Sequence, residues 1–240
     1  MSTLKAINLV HPTSVTNNIT LDSSGNVTLV NDLNLTSHPL AGTPVAGTVE
    51  YDGVSLFFTS QLTQRGLVPN MQFYCLNTAY AGANSTATQS IFGLTNGVTL
   101  SSSTMYGFEM SATLLKTAGT TSHTFRTLFG GTATLNHILY DARVNCTPNV
   151  IGTYGGSSNQ QGVTANVATV ITTTGALTSA NTYWTGLVKG VVSINSGGTF
   201  HPQYSLSAAP GGAYTTQVGS YFAIWPIGAA GANVNIGTWS

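Results

Sequence analysis

Glu50 and Asp52, two carboxylates two residues apart, are the first residues of this chain whose spacing could do chemistry. In an extended segment, residues i and i+2 share one face. The stretch AGTVEYDGVSLFFT (46–59) could therefore present both acids to one sugar ring. Glycoside hydrolysis needs such a pair, one acid to protonate the leaving oxygen and one to act as base or nucleophile. The alternative is a polar strand end with Asp52–Gly53 turning the chain toward VSLFF. That reading is preferred, because enzymes that cut polysaccharide capsules are normally much longer chains with their acids in a sugar-lined groove.

The remaining reactive side chains form no better constellation. The carboxylates total six: Asp22, Asp32, Glu50, Asp52, Glu109 and Asp141. His11, His38, His123, His137 and His201 lack the spacing of metal ligands. His123 and His137 are expected to face each other across a hairpin at Gly130–Gly131, as a satisfied cross-strand pair. Cys75 and Cys146 form neither a zinc framework nor a redox motif, so two buried free thiols are expected. There is no G-x-S-x-G elbow and no phosphate-binding glycine loop. No metal, cofactor or enzymatic activity is expected. Tyr183, Trp184, Tyr204, Tyr214, Tyr221, Trp225 and Trp239 could stack on sugars if exposed, but their placement within strands favours a core or a subunit interface. Trp239 is the aromatic singled out for a subunit contact or sugar stacking.

Composition narrows the partners. Charged residues make up 5% of the 240, six Lys+Arg against six Asp+Glu, with zero net charge. Typical soluble domains carry about 25% charged residues, so Ser, Thr, Asn, Gln and Gly must coat this surface. Nothing basic is available for phosphates, so nucleic acid is excluded as a partner. No apolar run is long enough for a membrane span, and no signal-peptide pattern begins the chain. A neutral surface offers little electrostatic protection against association, so a subunit of an assembly, a homotrimer, is expected.

The elements that must position these residues are strands. Val, Thr, Ser, Gly and Tyr abound and helical periodicity is nearly absent. TMYGFEMSATLLK (104–116) alternates with period two, and HTFRTLF (123–129) and TATLNHILY (132–140) follow, joined by Gly130–Gly131 as a hairpin. GVTANVATVITTT (162–174), TYWTGLVKGVVSIN (182–195), TFHPQYSLS (199–207) and GSYFAIWPIG (219–228) complete the set. Pro202 and Pro226 place their strands at edges or bulges. The pattern predicts an all-β protein: an antiparallel β-sandwich, jelly-roll-like, over residues 47–240.

Residues 1–46 read differently, as an extended arm of short strand–turn units. Asn18-Ile19-Thr20, Asn26-Val27-Thr28 and Asn34-Leu35-Thr36 repeat at a spacing of eight. With Asn84 and Asn145 they match the glycan-acceptor pattern, which is set aside because such triplets arise easily in a chain rich in Asn and Thr. Units this small cannot bury their apolar side alone. Ile19, Leu21, Val27 and Leu29 are therefore expected to anchor the arm to another protein.

INLVHPTSVTNNITLDSSGNVTL (7–29), AGTVEYDGVSLFFT (46–59), QRGLVP (64–69), GVTLSSSTMYGFEM (97–110), SHTFRTLFGGTATL (122–135) and GGTFHPQYSLSAAPGGAYTTQVGSYFAIWPIG (197–228) resemble small structural proteins of tailed bacteriophages, particularly cyanophages. The resemblance implies a trimeric capsid decoration (cement) protein of the virion, assembled in the host cytoplasm on the major capsid protein. The alternative it implies is a short tail fibre or spike, bound to a tail or adaptor protein and recognising host surface glycan.

Overall fold

The computed structural model describes residues 8–9, 13, 19–21, 23–24, 26–29, 32–61, 64–147, 170–231 and 233–237. Among them there is no helix, and every strand pairing is antiparallel. Three short strands come first, β1 (Asn8–Leu9), β2 (Ile19–Leu21) and β3 (Val27–Leu29), in a sheet of their own. A second three-stranded sheet follows, from β4 (Val49–Tyr51), β5 (Leu56–Gln61) and β6 (Gln64–Val68). The 46/47 boundary thus falls just before β4, whereas the strands of the sandwich begin only at Gln72.

Those strands are β7 (Gln72–Cys75), β8 (Tyr80–Ala81), β9 (Gln89–Ser90), β10 (Val98–Leu100), β11 (Thr104–Lys116) and β12 (Phe125–Gly130). After them come β13 (Thr134–Thr147), β14 (Val170–Thr173), β15 (Thr182–Ser196), β16 (Gly198–Leu206), β17 (Thr215–Thr216) and β18 (Tyr221–Ala229). The larger sheet runs β13-β15-β11. The far edge of β11 is shared by β18, which pairs with β7, and β17, which pairs with β8. The smaller sheet runs β10-β16-β12-β14, and β9 shares one edge of β16 with β10.

Alternation explains how the sheets meet. On β11 the side chains of Tyr106, Phe108, Met110, Ala112 and Leu114 are all buried, and on β15 those of Trp184, Val188, Val192 and Ile194. The smaller sheet answers with Phe125, Phe129, Phe200, Tyr204 and Leu206. Phe125 stacks on Trp184 of the opposing sheet at 5.1 Å and on Tyr204 at 5.0 Å, while Tyr214 meets it edge-on at 5.0 Å. A second group joins Phe129 to Phe200 at 4.6 Å and to Phe108 at 5.2 Å. The antiparallel sandwich is therefore as expected, and Trp184, Tyr204 and Tyr214 belong to its interior.

The hairpin expected at Gly130–Gly131 is not there. β12 lies in the smaller sheet and β13 in the larger, so the two glycines turn a corner between sheets. Gly131 sits at φ +131°, and a Cβ there would stand 2.0 Å from the Thr199 carbonyl oxygen. A close crossing over the start of β16, rather than a reversal, is what demands glycine. His123 lies ahead of β12 in an isolated bridge to Leu177, His137 lies on β13, and the two do not pair.

Both prolines sit where the ladder is interrupted. Pro226 faces Tyr106 beside a bulge between Met105 and Tyr106. Pro202 lies between the stretch of β16 paired with β10 and the stretch paired with β9; its carbonyl accepts from the Ile91 amide. A residue's N–H and C=O point to the same side of a strand, so the missing donor falls in that gap.

Lys116, His123 and His201 are among the polar groups enclosed by this packing. Lys116 is fully buried, and its ammonium donates to the carbonyls of Ala118 (3.1 Å), Gly119 (2.7 Å), Ser179 (2.7 Å) and Ala180 (3.3 Å). Four carbonyl dipoles replace a counter-ion, and burial lowers its pKa. His123 is buried between Thr121 O and the Tyr214 hydroxyl, at 2.8 Å from each. His201 is buried with one ring nitrogen unpartnered.

Two outcomes are expected. Replacing Phe125 with Ala should cost about 3–5 kcal/mol of unfolding free energy, measured by urea denaturation. Acidification should also destabilise the fold. Burial holds the pKa of both His123 and His201 below 6.5, so the unfolded chain takes up their protons first. Their contribution is complete above 6.5 and is lost as pH falls through the depressed folded values. The urea midpoint should therefore drop between about pH 7 and pH 5, and less steeply in His123→Gln.

Candidate functional site

The suspected acid pair is tied up locally. Glu50 Oε2 accepts from Arg65 Nε at 2.8 Å, and Oε1 accepts from Arg65 Nη2 at 3.2 Å and the Ala41 amide at 2.8 Å. The Ala41 amide, followed by the Arg65 guanidinium, holds this carboxyl below its ordinary 4.5. Arg65 Nη2 also donates to Ala41 O at 2.6 Å, and the His38 amide to Tyr51 O at 3.1 Å. Residues 38–41 are thereby sewn to the β4–β6 sheet. Asp52 Oδ1 caps its own turn, accepting from the Val54 and Ser55 amides at 2.8 and 2.7 Å. This is the polar strand end with the turn at Asp52–Gly53.

Among the described residues no three His, Cys, Asp or Glu side chains gather where they could hold a metal. Cys75 and Cys146 are free and half-buried, a correction to the full burial expected of them. They lie on β7 and β13, the outermost described strands of the larger sheet, four strand spacings or about 19 Å apart across it and three residues out of register. Burial pushes the Cys146 thiol up to about 12. Trp239 lies outside the described residues.

In the arm, Ile19-Thr20 and Val27-Thr28 of the first two Asn-x-Thr phrases lie in strands. Ile19 pairs with Leu29, and Leu21 with Val27. The third phrase, Asn34-Leu35-Thr36, is irregular. Ile19 is half-buried, whereas Val27 (61%) and Leu29 (40%) are exposed.

The most developed surface is the outer face of the larger sheet. Strand register lays its outward residues in rows. One row runs Leu139, Val191, Gly107, Trp225, the next Asp141, Lys189, Glu109, Ala223, Phe73, and the next Arg143, Leu187, Ser111, Tyr221, Cys75. An open, mostly apolar trough of about 700 Å³ crosses it, lined among others by Leu139, Asp141, Lys189, Glu109, Val191 and Trp225. Gly107 lets the indole of Trp225 lie on the sheet, since a Cβ there would meet the ring at 2.8 Å. Phe73 stacks on Tyr221 at 5.3 Å. The Tyr221 hydroxyl donates to Glu109 Oε1, which raises the phenol's pKa. Arg143 Nε stands 3.6 Å from Asp141 Oδ2, and Lys189 forms no ion pair with either flanking carboxylate.

Reading the sequence missed this face. Its four charged residues, Glu109, Asp141, Arg143 and Lys189, are scattered along the chain, and only the register of three strands brings them together. The available signal was Leu139 and Leu187 alternating in phase with charges instead of with core residues. No family model, curated protein or solved structure matches the chain.

Replacing Glu50 and Asp52 together with Ala should loosen residues 38–41 and lower the melting temperature modestly. Purified wild-type protein should release no sugar from host polysaccharide. Cleavage by the wild type that disappears in the double variant would instead establish a working acid pair.

Proposed function

We propose that this chain is a non-enzymatic structural subunit of a bacteriophage particle, a homotrimer that decorates the capsid and is held to the major capsid protein by its N-terminal arm. The arm carries this reading. It is a sheet of three strands, none longer than three residues, and its Val27 and Leu29 are exposed together with Leu33 at 68%. A sheet of that size is not stable alone in water and needs a partner to cover it. Addition to a neighbour's sheet supplies both hydrogen bonds and apolar contact.

The winding of the sandwich supports the same reading. From β10 to β16 successive strands alternate between the smaller and the larger sheet, and β18 returns to the larger. We read this as a jelly roll whose larger sheet, β7-β18-β11-β15, is extended by β13. Jelly rolls recur in viral capsid and lectin domains. Fold alone does not assign a role, so the resemblance of the phrases quoted above to phage structural proteins supplies the particle. Glu50 and Asp52 are consumed by structural bonds, which favours a mechanical role over a hydrolytic one.

A chain beginning at Thr36 keeps His38 and Ala41 and should fold and assemble like the full protein, yet fail to rebind particles stripped of it. A truncated chain that is monomeric or insoluble would assign the arm to the trimer instead of the capsid. Densitometry of purified particles should give many copies per head; a few copies at the tail would establish the short-fibre alternative.

A further inference from the structure

We propose that the outer face of the larger sheet is the contact between copies of this chain, with Lys189 pairing there with a carboxylate of the neighbouring copy. The inference rests on the trimeric reading and locates its interface. An antiparallel sheet with one solvated face normally turns polar residues outward. Here Phe73 (58%), Leu139 (42%) and Leu187 (39%) are exposed, with Val191, Tyr221 and Trp225 half-buried beside them. These apolar groups surround the charged residues Asp141, Lys189, Glu109 and Arg143.

The charges identify the occupant. Four of the chain's few charged residues stand on this face, two of each sign, so a strongly charged partner would meet its own sign at half of them. A second copy brings the same balanced set and no net charge to repel it. Lys189 is flanked by two carboxylates and bonded to neither, and Asp141 is held only loosely by Arg143 at 3.6 Å. The Lys189 ammonium is thus free to pair between copies, whereas Glu109 already accepts from Tyr221 and Asp141 Oδ1 is buried. Size agrees as well. Five strands about 4.8 Å apart and nine residues rising about 3.3 Å each give roughly 700 Å², close to the ~800 Å² per partner of a stable interface.

A ring follows if the face of one copy meets the edge of the next, the head-to-tail contact that closes cyclic trimers. Among the described residues β13 is the outermost strand on this side. It carries Leu139, Asp141 and Arg143, the same residues that border the trough.

Sedimentation equilibrium on the full chain tests this. The wild type should run at three times the 24.8 kDa chain mass. Lys189→Glu should run at the mass of a single chain with an unchanged strand signal in circular dichroism, and so should Leu187→Asp, a second exposed position. Arg126→Glu, on the outside of the smaller sheet, should remain a trimer. A trimer that survives both Lys189→Glu and Leu187→Asp would overturn the inference and leave the trimeric reading standing. A wild type that is monomeric would overturn both. Face variants that stay trimeric but no longer bind stripped particles would assign the face to the capsid protein, against the inference.

Discussion

Phe125 is the residue through which the two sheets hold each other. It stacks on Tyr204 within its own sheet and on Trp184 across the sandwich, and Tyr214 closes the group edge-on from a loop. Flat rings give large area for few rotatable bonds, and aromatic pairs add about 0.5–1.5 kcal/mol each beyond burial. Fixing this stack fixes the separation and register of β12, β15 and β16. It also sets the 208–214 loop, because Tyr214 is tied to His123 by its hydroxyl. The Lys116 ammonium then gathers residues 118–119 and 179–180 at the same end. Aromatic stacking and a buried cation thus organise one end of the molecule together.

Scarcity of charge is the second constraint, and the molecule places its few ionic groups with purpose. One lysine is buried under carbonyls and one Glu–Arg pair sews the segment before β4 to its sheet. Four further charges gather on a single sheet face. A charge-rich protein spreads its ions for solubility. Here the surface leans on Ser, Thr and Asn instead, so its ionic contacts are local and specific. The same economy leaves apolar side chains exposed on the arm and on the larger sheet.

The long strands were legible in the sequence because alternation is a local property. Tyr106 to Leu114 and the run from Thr182 read correctly from period two alone. What failed was non-local. Gly130–Gly131 suits a hairpin and an inter-sheet corner equally well, and only the approach to Thr199, far along the chain, decides between them. The β4–β6 strands carry the same alternation as those of the sandwich, so nothing in their pattern announces a separate sheet. The two arm phrases that formed strands differ from the third in having each other as partners, a choice that Asn-x-Thr itself does not encode. The outer face was the least readable feature, since Glu109, Asp141 and Lys189 become neighbours only through register.

The arm and the face are different solutions to one deficit. A sandwich with unequal sheets leaves part of the wider one unopposed, and here the addition of β13 widens the larger sheet beyond the smaller. Its inner residues Ile138, Tyr140 and Ala142 are covered, but on the outside Leu139 is exposed. Extending a sheet therefore creates apolar surface on the face that a monomer cannot bury. An arm of three minimal strands has the same problem at smaller scale, because its Val27 and Leu29 are exposed. A chain with abundant charge could leave both surfaces solvated. With charge this sparse, a protein partner covering them would lower the free energy, which is the physical ground for the proposed association.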